Sequence, residues 1–134
     1  MKRPIRFIIV VFLACTIATE FANGSRIPPE KQDLKNIYWG NPDAFEKPAE
    51  VCILELVRAT PEFKTVQDRK VQRGTGQYWL LMERASQRAL RAITTFGSSS
   101  EYDLIARIGY LGGLTPPIVS DDVTAHVLKA LQQD

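Results

Sequence analysis

With 134 residues, the chain has room for one domain. It carries 17 Lys and Arg residues against 15 Asp and Glu residues, so its net charge at neutral pH is only +2. This near balance excludes the uniformly basic character typical of proteins that bind nucleic acid over their whole surface. We therefore expect no nucleic-acid partner.

The N-terminus has the three parts of a secretory signal peptide. A basic region comes first, formed by Lys2, Arg3 and Arg6. An apolar run over residues 7–18 follows, and Ala22 and Gly24 supply the small residues that favour a cut before Ser25. The run is shorter than the roughly 18 apolar residues expected of a transmembrane helix. The sequence therefore predicts a signal peptide over residues 1–24 and a periplasmic or secreted mature protein.

Two alternatives to cleavage near Gly24 stay open. The segment could remain as an uncleaved anchor, or Leu13, Ala14 and Cys15 could form a lipoprotein motif with Cys15 as the lipidated residue. Cleavage near Gly24 would remove three basic residues and one acidic residue, which leaves 14 of each and a neutral mature chain. Cys52 would then be the only cysteine, so no intramolecular disulfide could form.

A polar leader rich in proline is expected over residues 25–48, ahead of a domain over residues 49–134. The leader nevertheless contains Ile37, Tyr38, Trp39 and Phe45, a set too apolar for a fully solvated linker. We expect these side chains to dock on the domain surface or on a partner.

The domain is expected to open with a buried strand over the apolar run Val51–Val57. Thr60 and Pro61 then form a helix start, because a threonine hydroxyl can cap free amides and proline needs no amide at the first helical residue. This first helix is predicted to end near Gln72. A second helix follows, with an apolar seam spaced alternately by four and three residues: Tyr78, Met82, Ala85, Ala89, Ile93 and Phe96. The two helices predict a helical hairpin over residues 60–97.

The remaining segments predict a return to strand structure. Apolar residues alternate between Tyr102 and Leu111, as in a half-buried strand, and Pro117–Val119 could form a third short strand. Asp121 and Asp122 would then cap a last amphipathic helix. The order strand, helical hairpin, strand, short strand, helix predicts an α+β fold with a small β-body. So few strands from one chain would leave unpaired edges, which favours completion of the sheet by oligomerisation.

The sequence offers no catalytic constellation. His126 is the only histidine and lies inside the last helix, and Cys52 lies in an apolar run typical of a buried thiol. One His and one Cys cannot form a zinc site without several carboxylates. We predict no enzyme activity, no cofactor and no metal. An enzyme stays open as a third hypothesis, and it would depend on His126.

Charge segregation is the feature with a functional implication. Between Val57 and Gly97 the chain has eight basic and three acidic residues, and Arg84, Arg88 and Arg91 are spaced to share one stripe of the second helix. An ordinary solvated face would explain this pattern. A basic, amphipathic prong that attracts anionic lipid headgroups or acidic unfolded chains would also explain it. In that case Tyr78, Trp79 and Met82 would add apolar contacts near the tip of the hairpin.

The C-terminal third resembles the Skp/OmpH family of periplasmic chaperones. Tyr102–Ala106 is similar to that family's returning strand, and Val119–Leu131 (VSDDVTAHVLKAL) is similar to its closing pattern D-I-T-x-x-V-L-K-x-L. The resemblance implies a homotrimer in which strands from three chains build a β-body. Helical arms would project from that body and enclose unfolded outer-membrane proteins.

The first hypothesis is therefore an exported, ATP-independent chaperone-like protein that binds unfolded or outer-membrane proteins. Its binding residues would be Arg84, Arg88, Arg91, Tyr78, Trp79 and Met82. The alternative is a non-catalytic structural or interaction subunit of a cell-envelope complex, docked through the aromatic leader.

Overall fold

The computed structural model describes residues 24–133, so residues 1–23 of the predicted signal peptide, Cys15 among them, lie outside the described residues. Helices and a small mixed sheet build the fold, which confirms the predicted α+β class. The strands are β1 (Ile37–Gly40), β2 (Pro48–Val51), β3 (Leu104–Arg107) and β4 (Asp121–Asp122). The α-helices are α1 (Ile53–Arg58), α2 (Pro61–Asp68), α3 (Gly76–Ser99) and α4 (Thr124–Gln132). Two single 3-10 turns, Pro29–Lys31 and Leu34–Asn36, precede β1.

The sheet has four strands in the order β1-β3-β2-β4. β3 runs antiparallel to β1, with Gly40 opposite Leu104, and parallel to β2, with Val51 opposite Arg107. The edge strand β4 pairs parallel to β2. Because β1 comes from residues 25–48, the sheet of one chain is larger than the sequence predicts. β1 and β4 remain the edges of this sheet, and oligomerisation stays a prediction.

Both faces of the sheet are covered by apolar groups. Ile105 of β3 faces a cluster formed with α1, α3 and α4, whereas Leu104 and Ala106 face a second cluster on the other side. This alternation is the expected consequence of strand geometry. The second cluster is closed by Ile27 and Phe45, whose side chains are fully buried.

Residues 25–48 are therefore an integral part of the fold rather than a leader outside it. The Phe45 amide donates a hydrogen bond to the Ser25 carbonyl at 3.0 Å, which forms an isolated antiparallel bridge near the start of this segment. Trp39 packs against the first cluster and lies over Gly97 of α3, where a Cβ would come within 2.5 Å of the indole ring. The expected boundary at residue 49 falls inside β2, which begins at Pro48.

The prediction of a strand over Val51–Val57 is wrong. β2 ends at Val51, and the rest of the run forms α1, with Leu56 and Val57 buried. A short apolar run has the same pattern in a buried strand and in a buried helix, so the elements that pack against it decide which of the two forms. Here α1 packs against both α3 and α4.

The predicted strand at Pro117–Val119 does not form either. The short strand lies two residues further on, at Asp121–Asp122, where backbone pairing to β2 leaves both side chains exposed. Asp122 does act at the start of α4, since its carboxylate accepts hydrogen bonds from the amide and the hydroxyl of Thr124.

Candidate binding surface

The hairpin is built by α2, α3 and the loop between them. The predicted cap is confirmed: the Thr60 hydroxyl accepts a hydrogen bond from the Phe63 amide at 3.2 Å, and Pro61 is the first helical residue. Thr75 caps α3 in the same way, through the Tyr78 amide. α3 has 24 residues, so at 1.5 Å per residue it spans about 36 Å.

The predicted seam of α3 faces the body of the protein. Ala85, Ala89 and Ile93 are buried, and Tyr78, Met82 and Phe96 are partly buried. The seam packs against α1, α2, α4 and β1 of the same chain, so α3 is a core helix over most of its length. Exposed residues are most continuous in its first turns and in the preceding loop.

α2 ends four residues before the predicted Gln72, in a Schellman motif. The Val71 amide donates to the Val66 carbonyl at 3.0 Å, and the Lys70 amide donates to the Gln67 carbonyl at 3.3 Å. Lys70 therefore adopts the left-handed conformation, with φ of 51°. Glycine is the usual residue there, because a Cβ costs roughly 1–2 kcal/mol in that region. The chain thus holds a lysine at the tip of the hairpin at a conformational cost.

The exposed end of the hairpin combines cations with large apolar side chains. We call this set the tip surface, and it consists of Arg69, Lys70, Arg73, Trp79, Leu80 and Arg84. Trp79 is 64% exposed and Leu80 is 48% exposed. The Tyr78 ring supports Trp79 in an edge-to-face arrangement, with 5.5 Å between ring centroids. Residues 68–84 contain four basic and two acidic residues, so the surface is net positive.

The predicted arginine stripe divides into two kinds of residue. Arg84 and Arg91 are exposed, whereas Arg88 reaches across to Glu62 on α2. The Arg88 Nη2 atom donates to Glu62 Oε1 at 2.9 Å, and Nε donates to Oε2 at 3.0 Å. This hydrogen-bonded guanidinium lowers the pKa of the Glu62 carboxyl. Arg88 therefore ties α2 to α3 inside the protein.

The six predicted contact residues consequently do not form one surface. Trp79, Arg84 and Arg91 are exposed on α3, and Tyr78 supports Trp79. Met82 packs against the first cluster, so its side chain belongs to the core. Sequence reasoning missed Leu80, although the seam spacing already places that residue outside the buried face.

Acidic groups gather at the other end of α3. Asp103 accepts hydrogen bonds from the amides of Glu46 and Lys47, at 2.6 and 2.9 Å. The hydroxyl of Tyr102 donates to Asp121, which raises the pKa of Tyr102. Hydrogen-bonded acidic groups therefore lie near the Ser99 end of α3, whereas the tip surface at its other end is net positive.

His126, on which an enzyme would depend, lies exposed on α4. Its ring centroid is 6.1 Å from that of Phe96 on α3. The proximity of these two rings fits a role for His126 in packing between α3 and α4. Among residues 24–133, no three His, Cys, Asp or Glu side chains lie close enough together to hold a metal ion.

No protein-family model, curated protein or solved structure matches this chain. Of the helices in residues 24–133, none combines the length and the apolar character needed to cross a bilayer.

Proposed function

We propose that this chain is an exported, non-catalytic binding protein of the cell envelope, and that its tip surface docks on an acidic segment of a partner polypeptide that carries apolar side chains. The observation that carries this proposal is the exposure of Trp79 and Leu80 on the first turns of α3, beside basic residues and opposite a buried seam.

The chemistry of the tip surface supports an acidic partner. Tryptophan and arginine are over-represented among the residues that dominate binding energy at protein interfaces. Rim cations mainly steer an oppositely charged partner and select it over others. Lys70 fits this role, because it keeps a positive charge where glycine would be less strained.

Packing of the hairpin favours docking over enclosure of a client. From Ala85 to Gly97 the inner face of α3 is buried against the rest of the chain. The part that extends beyond the core is therefore a short tip rather than an arm. The chain is better suited to hold one segment of a partner than to surround an unfolded protein.

The resemblance to Skp/OmpH chaperones supports a second candidate, ATP-independent holding of unfolded outer-membrane proteins. Three copies would then combine their tip surfaces around one client. This candidate requires an oligomer, so the solution mass of the purified protein, measured by light scattering after size exclusion, separates the two. A trimer that slows aggregation of an unfolded porin would favour holding, and a monomer that does not would favour docking.

The docking proposal is tested with a fluorescent peptide rich in Glu and Phe and with a counterpart that has Gln in place of every Glu. We expect the full chain to bind the acidic peptide more tightly, and Trp79→Ala to weaken that binding by about tenfold or more. Val119→Ala is the matched control, because Val119 is 90% exposed but lies outside the tip surface. Equal binding by the wild type and Trp79→Ala, or no preference for the acidic peptide, would overturn the proposal.

A further inference from the structure

A cavity of about 380 Å³ opens at the carboxyl ends of β2 and β3, away from the tip surface. β2 leads through Cys52 into α1, which packs in the first cluster. β3 leads through Ile108 into a turn whose Leu111 lies in the second cluster, on the opposite side of the sheet. Adjacent parallel strands whose connections leave toward opposite faces create a crevice, and open α/β sheets bind ligands there.

The cavity carries positive charge and no acidic lining residue. Lys35 and Arg107 both line it, and neither makes an ion pair within residues 24–133. The nearby carboxylate of Asp33 already accepts hydrogen bonds from the Lys35 amide and the Asn36 side chain. Two cations that share a cavity favour an anion, and the planar guanidinium of arginine suits a carboxylate.

The rest of the lining supports an organic rather than an inorganic anion. Leu54 and Ile108 line the cavity and are 58% and 44% exposed, so apolar surface remains for a ligand to cover. Tyr38 also lines it and places a phenol hydroxyl, a hydrogen-bond donor, in the lining. The volume falls within the range of about 300–1,000 Å³ found for small-molecule sites.

We propose that this cavity binds a small organic carboxylate, whose carboxylate group pairs with Lys35 and Arg107 and whose apolar part covers Leu54 and Ile108. This site shares no residue with the tip surface, so its test is separate from the test of the proposed function.

Cys52 provides the first test, because this free cysteine lines the same cavity and is only partly buried. Iodoacetate carries a carboxylate and iodoacetamide is neutral. Both form a carbon–sulfur bond at the thiol as the carbon–iodine bond breaks, with iodide leaving and the thiol proton passing to the buffer. Mass spectrometry of the Cys52 peptide from the full chain gives the two alkylation rates. Their ratio is compared between the native protein and the urea-unfolded chain.

We expect the iodoacetate to iodoacetamide ratio to be about fivefold or more higher in the native state, because the cations concentrate the anionic reagent. Arg107→Met should bring the ratio back toward the unfolded value, and Arg26→Met, near the amino end of β2, should leave it unchanged. Lys35→Met gives a second variant if Arg107→Met does not fold. A native ratio no higher than the unfolded ratio, or one unchanged in the folded cavity variants, would overturn the site.

Protection experiments then identify the class of ligand. Hexanoate should slow the labelling of Cys52 by iodoacetamide in a saturable manner, and hexanol and inorganic phosphate at equal concentration should not. Protection by hexanoate that disappears in Arg107→Met would support the proposal. Equal protection by phosphate, or the absence of protection by hexanoate, would contradict it.

Discussion

The ion pair between Glu62 and Arg88 decides whether the middle of the arginine stripe has a structural role. Three hydrogen bonds of 2.9–3.1 Å join the two side chains across α2 and α3. The Glu62 side chain is 15% exposed and the Arg88 side chain is 28% exposed. If Arg88 ties the hairpin together, Glu62→Gln should destabilise the protein without touching the tip surface.

The burial of the ion pair determines how much stability Glu62→Gln should remove. Exposed ion pairs contribute about 0.2–1 kcal/mol, whereas loss of one partner from a fully buried pair costs about 3–5 kcal/mol. This pair lies between those limits, so we expect Glu62→Gln to lower the free energy of unfolding by about 1.5–2.5 kcal/mol. A double-mutant cycle with Arg88→Met should give a coupling energy of about 1–2 kcal/mol.

The loss of stability in Glu62→Gln should depend on pH. Because Arg88 lowers the pKa of Glu62 in the folded state, the pair stabilises the protein fully above the ordinary glutamate pKa of about 4.3. That contribution is lost as the pH falls through the lower, folded-state pKa. The stability difference between the wild type and Glu62→Gln should therefore be constant between about pH 6 and 8 and shrink below about pH 4.

Urea unfolding followed by circular dichroism measures these differences. The matched control is the ion pair of Lys47 and Glu101, whose side chains are 44% and 83% exposed, and its coupling should fall within experimental error. Additive effects of Glu62→Gln and Arg88→Met, or a difference that persists unchanged at low pH, would refute the structural role. Arg88 would then have to be reconsidered as a contact residue.

Four other substitutions test the fold. Lys70→Gly should stabilise the protein by about 0.5–1 kcal/mol in urea unfolding by relieving left-handed strain, and a loss of stability would argue against that conformation. Gly97→Ala should cost about 1–3 kcal/mol because its Cβ meets the Trp39 ring, and a raised melting temperature would contradict this packing. Glu50→Gln should cost about 1–3 kcal/mol in the same assay, since this buried carboxylate accepts a turn amide at 2.6 Å; an unchanged midpoint would refute its role. Phe45→Ala should cost about 3–5 kcal/mol, and a small loss in the melting curve would mean that residues 25–48 do not share the core.

Local patterns in the sequence were sufficient to place α2, α3, α4 and one strand, but not α1. The Thr60 cap and the seam of α3 depend on neighbouring residues along the chain, so they were predicted correctly. The returning strand was placed in the right segment, but β3 covers only Leu104–Arg107 because the chain turns away directly afterwards. The α+β class follows from the same local signals. Three inferences from the sequence stay predictions: the signal peptide, the lipoprotein alternative and the resemblance to Skp/OmpH chaperones.

Contacts between segments that are distant along the chain decided the remaining elements and side-chain roles. β1 has no strong strand pattern and forms because β3 offers it a pairing edge, while the apolar run after Val51 becomes helical because α3 and α4 bury it. Arg84 and Arg88 look equivalent in the sequence, but only Arg88 has Glu62 within reach, 26 residues away along the chain. Spacing fixes which residues share a face of a helix. Which of those faces is covered, and by what, depends on packing energies that no single segment contains.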